Sequence, residues 1–468
     1  MTRSLAKTDA VPNTDRQRLW LICGMVAYVA CFQWMYINYL YPTWAYFGFD
    51  YYPPESKYLV LAWILSLLPS LWMPIELTRP SQLAYWVLYI VTFIPSMFVP
   101  LYVNIDPPGE ISLVMIVFFI GFALTGSSYL FPLRKLRPVR ISRKMFWLVF
   151  TCIACGLAIW LLIVFKGHMQ LVSFADIYDQ RNKASDLAEG TWANYPLMGL
   201  TGAIDPFLMA CGLYYRRWWM LLCGVVGQIL VFSVLGTKGS ILSVVFVPGV
   251  YALLRLGKYP FGLKVTFACL AVLGAACLAF VFSGYDPGPL LFVALFVVLM
   301  RTLPMGGLVT AWYYNFFQQN PLTYYSHVTG FNWFIHYPYA NFIGLEVGSF
   351  YQTGSDLDAT AHFWAMDGLE ALGLPGVLVI SVFCALVFWM LDSASERHDP
   401  RLGALVITYA TYNLANISMF TSLFSGGLGL LTVFLYCLQP KQGMEFHRPR
   451  EKKRIVPSLR RIAPPLPG

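Results

Sequence analysis

Charge is what this chain has least of. Of its 468 residues only 12% are Asp, Glu, Lys or Arg, while 58% are hydrophobic. Soluble domains carry about a quarter charged residues. That shortage excludes a soluble enzyme of this length, a disordered chain and a nucleic-acid-binding domain. Metal-ligand patterns are missing too. There is no HExxH, no clustered thiolate set and no strong carboxylate cage, so no metal or other cofactor is expected. The ten cysteines all fall inside apolar stretches, which excludes the disulfide framework of a secreted module. Cys152 and Cys155 form a CxxC in mid-stretch, where they read as small packing residues. No cleavable leader is expected either, because 18 largely polar residues precede the first apolar stretch and no small-residue cleavage site follows it.

What the chain does have is long apolar blocks. Crossing about 30 Å of hydrocarbon takes roughly 20 residues, and lipid leaves such a segment no choice but a helix. The blocks predict crossings at 19–41, 58–75, 81–103, 111–132, 145–165, 196–215, 218–235, 239–256, 263–283, 371–391, 403–420 and 425–439. The expected fold class is therefore all-α, a polytopic integral membrane helix bundle of about 12 spans over residues 1–440. A basic cytoplasmic tail, 441–468, follows.

The charges suggest an orientation. Lys57, Lys166, Arg181, Lys183, Lys238 and Arg301 stand apart from the other 26 of the 32 basic residues. Those 26 share one side when both termini are cytoplasmic, as Lys and Arg in short connections should. The net charge of +9 then reports topology and not a basic partner surface. Residues 289–303 are too short for a crossing, and they read as a half-helix or interfacial segment returning to the outer face. Two long connections, 166–195 and 304–370, are expected on that face, and long connections in a compact protein tend to be functional. The second is rich in aromatics, and together they hold His168, His327, His336 and His362.

Several residues could carry chemistry. Arg181 sits in FADIYDQRNK, where it either makes local ion pairs or forks onto phosphate oxygens. Lys238 lies in the turn GTKGS; it either snorkels or joins open helix-start amides in an anion site. Arg301 ends an apolar run, which suits lipid headgroup contact or a substrate phosphate. Residues 356–376 predict a helix starting near Ala359 and entering the span at 371. There Asp358 and His362 are four apart, and Asp367 and Glu370 three apart, so each pair shares a face. Ordinary capping and acid–base work both fit these residues. Asp205 lies within a span, and 403–420 carries Thr408, Thr411, Asn413, Asn416 and Ser418. Interhelical hydrogen bonding explains these last groups, and a polar substrate path is the alternative.

Four segments together resemble the Wzy-type O-antigen and oligosaccharide repeat-unit polymerases. They are FADIYDQRN (174–182), GTKGSI (236–241), MRTLPMGGLVTAWYYNFFQQNP (300–321) and DLDATAHFWAMDGLEALGLPG (356–376). The order of elements agrees along most of residues 60–440. Two details depart from the pattern. The Arg-to-Gly spacing of some members is not reproduced after Arg181 or Arg301, and His362 stands where similar sequences often carry asparagine.

The resemblance implies transfer of a growing glycan from polyprenyl pyrophosphate to the non-reducing end of a lipid-linked repeat unit. The reaction would take place at the periplasmic face of a bacterial inner membrane. It implies polyprenyl-pyrophosphate-linked oligosaccharides and membrane lipids as partners, no nucleic acid, and room for a chain-length regulator at the outer loops. In this reading Arg181, Lys238 and Arg301 hold the pyrophosphate, and His362 or Asp367 takes the proton of the acceptor hydroxyl. Trp312, Tyr313 and Trp333 stack on sugar rings, a role that interfacial anchoring would fill equally well. A lipid-linked glycan ligase and a glycolipid flippase are the competing readings.

Overall fold

A computed structural model describes residues 14–105, 108–137, 139–167, 169, 194–236, 238–354 and 357–440. Among them every regular element is helical. Eight helices are long and apolar enough to cross a membrane: Asp15–Phe47, Ser81–Tyr102, Ile111–Leu130, Arg143–Val164, Pro196–Tyr214, Phe261–Phe282, Leu374–Ala394 and Met419–Cys437. Ser56–Leu71, Trp218–Val234 and Gly239–Arg255 are apolar but shorter. Their lipid-facing character is plain at Arg143–Val164, where Leu148, Ile153, Ile159 and Ile163 are all exposed. In water such a surface would drive association, but in hydrocarbon it meets its own kind.

Three expectations need correction. The block at 403–420 is not one helix. It divides into Pro400–Val406 and Thr408–Leu414, and Met419 already opens the last span. Its density of Thr and Asn offers the backbone competing hydrogen bonds, and Asn413 donates to Gly426 O at 3.0 Å to hold the next break open. At that break Gly427 has φ 93°, and a side chain there would strike Gly202 O. Second, residues 304–370 do not begin as a loop. Met305–Gln319 is a helix, bent 45° from Pro289–Thr302, and the two pass as a span only when taken together. Third, the helix expected from Ala359 starts later. Residues 357–362 are irregular, and Asp358 instead accepts from its neighbour Thr360 N at 3.0 Å.

Prolines shape the bundle in a regular way. Among the described residues five π-helical turns interrupt the helices, at Tyr36–Leu40, Leu88–Phe93, Leu200–Ile204, Phe296–Thr302 and Trp364–Leu369. The first four each end two residues before a proline: Pro42, Pro95, Pro206 and Pro304. A proline ring clashes with the carbonyl four residues back and donates no hydrogen bond, and widening the preceding turn absorbs both defects. Trp364–Leu369 has no such proline.

Contacts between connections collect at two poles. At one pole, arginines hold backbone carbonyls of other segments. Arg18 donates to Ser70 O and Met73 O, Arg79 to Ser128 O and Phe131 O, Arg143 to Gln439 O, and Arg397 to Leu136 O. At the other pole Tyr52 N donates to Tyr102 O, Gln352 to Tyr46 O, and Tyr314 to Glu110. Met305–Gln319 runs in the same sense as Ser81–Tyr102, with Gly306 against Val91 O and Thr92, Gly307 against Pro95 O, and Thr310 bonded to Ser96 at 3.0 Å. The chain after Gln319 therefore emerges at the pole of Tyr102 and Glu110.

Candidate functional site

The densest charged array is built at the π-helical turn Trp364–Leu369, which presents Asp367 and hands on to Glu370. Both carboxylates are fully buried. His327 lies between them, its Nε2 3.2 Å from Asp367 Oδ1 and its Nδ1 3.0 Å from Glu370 Oε1. Asp367 also accepts from Ser418 Oγ at 2.6 Å and Met419 N at 2.5 Å. The His327 segment is stitched to the same turn, since Thr323 N donates to Glu370 O and Tyr324 N to Ala371 O. Tyr324 and Tyr325 then adopt φ of 50° and 65°. Side chains resist this left-handed region at about 1–3 kcal/mol each, so the surrounding packing holds them there.

The electrostatics follow from burial and pairing. Burial alone would strip the proton from His327, but the hydrogen bonds to Asp367 and Glu370 outweigh it and push its pKa up to about 10. It is therefore an imidazolium at neutral pH, donating from both nitrogens. Burial raises the Glu370 carboxyl above its ordinary range, and His327 partly opposes that rise. Glu370 Oε2 is buried without a hydrogen-bond partner, and so are the hydroxyls of Tyr313, Tyr325 and Tyr337. The Tyr313 hydroxyl feels the charges of Glu370, Asp358 and Asp367. Unfilled buried polar atoms gathered round one charged array are costly for a fold alone, and they offer hydrogen bonds to a polyhydroxylated molecule.

His362 belongs to a different cluster. Its Nε2 lies 2.9 Å from Thr310 Oγ1 and 3.1 Å from Gly306 O, and Thr310 bonds Ser96. A carbonyl can only accept, so Nε2 carries the proton and Nδ1 is left as a bare, partnerless acceptor. Burial lowers its pKa to about 4, which keeps the ring neutral. The two alternative bases thus belong to separate clusters, His362 with Thr310 and Asp367 with His327.

No protein-family model, curated protein or solved structure matches this chain. The site has to speak for itself.

Of the three expected cations, Arg181 lies outside the described residues, as does nearly all of 166–195. Lys238 is described only in its backbone, as the first residue of the helix Lys238–Arg255. Arg301 is exposed at the end of Pro289–Thr302. Its charge reaches Tyr412. A side chain at Gly239 would stand 3.0 Å from Tyr409 Oη and 3.3 Å from Tyr412. The GTKGS turn therefore packs on this tyrosine pair, and Arg301, more than sixty residues away in sequence, acts on Tyr412 through its charge. From Tyr412 the chain leads through Asn416, which donates to Tyr412 O, to Ser418 on Asp367.

Trp312 and Tyr313 are packed inside. Trp312 is 4% exposed, its ring stacked on Tyr351 at 5.0 Å and 7°. Trp333 and Phe334, in the same connection, are open instead, at 78% and 87% exposed. The sequence offers Glu370 beside Asp367 as an acid–base candidate, Ser418 among the polar groups of 403–420 and His327 as one of four loop histidines, but nothing in it pairs that histidine with an acid 40 residues away.

Proposed function

We propose that the protein is a membrane polymerase that joins polyprenyl-pyrophosphate-linked oligosaccharide repeat units. The donor glycan leaves polyprenyl pyrophosphate and is transferred to the non-reducing end of a second lipid-linked unit, in O-antigen, capsule or exopolysaccharide synthesis. The bundle would cross a bacterial inner membrane about 12 times with both termini cytoplasmic. The pole carrying residues 320–372 would face the periplasm. The observation that carries this reading is the buried Asp367–His327–Glu370 array with its ring of unfilled hydroxyls. Buried ionisable groups in membrane proteins are expensive and are kept for function.

Arg301, the GTKGS turn with Lys238, and Arg181 bind and neutralise the leaving pyrophosphate. The acceptor hydroxyl loses its proton to a base in the acidic cluster. Both Asp367 oxygens are already engaged by donors, so the open lone pairs of Glu370 Oε2 take that role, with Asp367 and His327 holding the carboxyl in place. His362 Nδ1 is the second available acceptor. The exposed rings of Trp333 and Phe334 are better placed than Trp312 and Tyr313 to stack on sugars.

In cells, Arg301→Ala and Arg181→Ala should abolish long-chain glycan while protein level and single repeat units persist. A normal ladder of chain lengths in both variants would overturn the assignment. Asp205, buried with Oδ2 unpartnered, is the one observation that favours a flippase. Purified protein and lipid-linked units without an ion gradient decide between the two. Polymer is expected, and single units alone would leave flippase or ligase.

A further inference from the structure

Two sets of cations at the arginine-rich pole are used differently. Arg18, Arg79, Arg143 and Arg397 spend their guanidinium donors on backbone carbonyls of other segments. They act as staples. Arg255, Lys258, Lys264 and Arg401 behave differently. Among the described residues none of their side-chain nitrogens makes a hydrogen bond or an ion pair, and Arg255 only lies over the Tyr251 ring at 5.0 Å. Yet all four line one cavity of about 730 Å³, together with Glu76.

Sidedness alone does not explain this convergence. Keeping Lys and Arg on one side requires only that they be present in the connections, not that they face each other. Here Lys264 faces the like charge of Arg401, with Glu76 a weaker counterweight. The frame holding them is fixed, because Gly262 N donates to Ile75 O at 2.7 Å and Trp86 Nε1 to Pro74 O at 3.0 Å. Four cations against one carboxylate, held in a concave space at a helix-bundle end, form a receptor for negative charge. Guanidinium and ammonium groups set around a cavity suit phosphate oxygens, which accept several charge-assisted hydrogen bonds at once.

We propose that this cavity binds a phosphate-bearing anion through Arg255, Lys258, Lys264 and Arg401. The anion is supplied either by an anionic phospholipid headgroup or by a free polyphosphate. The site lies at the opposite pole from the Asp367 array and does not depend on the proposed reaction.

The test uses full-length protein in neutral detergent and follows thermal unfolding while cardiolipin, phosphatidylcholine or inorganic pyrophosphate is added. Cardiolipin is expected to raise the melting temperature and phosphatidylcholine not to. In the Lys258→Gln/Lys264→Gln/Arg401→Gln variant the apparent affinity should fall roughly a hundredfold, at about 1 kcal/mol per cation. A response to cardiolipin alone assigns the headgroup, and a response to pyrophosphate as well assigns the phosphate itself. Equal responses of native and variant protein, or equal effects of cardiolipin and phosphatidylcholine, overturn the site. Should the triple variant not fold, Lys258→Gln alone removes an exposed side chain and should weaken binding about fivefold, with the residual response falling as salt rises.

Discussion

At neutral pH His327 carries a proton that His362 refuses, and the two should leave opposite marks on stability. The His327 pKa is raised from 6.5 to about 10, so its contribution is complete below pH 6.5 and is lost as pH climbs toward 10. The His362 pKa is lowered from 6.5 to about 4, so stability is lost as pH falls from 6.5 toward 4. Thermal unfolding should therefore peak near pH 6.5, with each limb falling by up to about 1.4 kcal/mol per pH unit. His327→Gln should flatten the alkaline limb and His362→Asn the acid limb; a limb unchanged by its own variant contradicts the assignment. The two carboxylates should also separate in their effects. Asp367→Ala takes one of its two carboxylate partners from a buried imidazolium and should cost about 3–5 kcal/mol, read as lost yield of folded protein. Glu370→Gln keeps an acceptor for His327 and should leave yield near normal while abolishing polymer in the cell-based ladder.

Among the elements, what was legible in sequence depended on how local the cause was. Helices with uninterrupted apolar runs, such as Phe261–Phe282 and Leu374–Ala394, appear close to where composition puts them. Thr408–Leu414 and Met419–Phe424 do not, because their breaks are stabilised by partners outside the segment, such as Asn413 on Gly426 O. The prolines at 42, 95, 206 and 304 announce irregular turns in sequence, whereas nothing local announces Trp364–Leu369. That turn is held by tertiary contacts, including Trp364 Nε1 to Ser381 Oγ at 2.8 Å and the Asp367 bonds to Ser418 and Met419 N. Its far end is set by Gly373, at φ 66° and ψ −147°, a conformation almost confined to glycine. Gly373→Ala should cost about 1–3 kcal/mol. Because Leu374–Ala394 continues beyond it, the loss should appear first as faster hydrogen exchange around Asp367, and unchanged exchange there would show the turn to be held without the glycine.

For the molecule as a whole, charge counting indicated which connections belong together, and the arginine staples join many of those same segments. Labelling in intact cells tests the sidedness. A cysteine replacing exposed Trp333 should react with an impermeant maleimide, and one replacing Lys258 should react only after permeabilisation. The reverse pattern would invert the topology. One pair of bonds across the bundle has a consequence in time. Asp392 completes the start of Ser81–Tyr102, accepting from Ser81 N at 3.0 Å and Ser81 Oγ at 2.6 Å, yet it lies 311 positions downstream. At about 5–20 residues per second, synthesis reaches Asp392 roughly 15–60 s after Ser81. The first turn of Ser81–Tyr102 must therefore wait without its carboxylate while the early helices are already joined by bonds such as Tyr89 to Ser66 O, and a chain cut short before Asp392 would keep that turn unlocked.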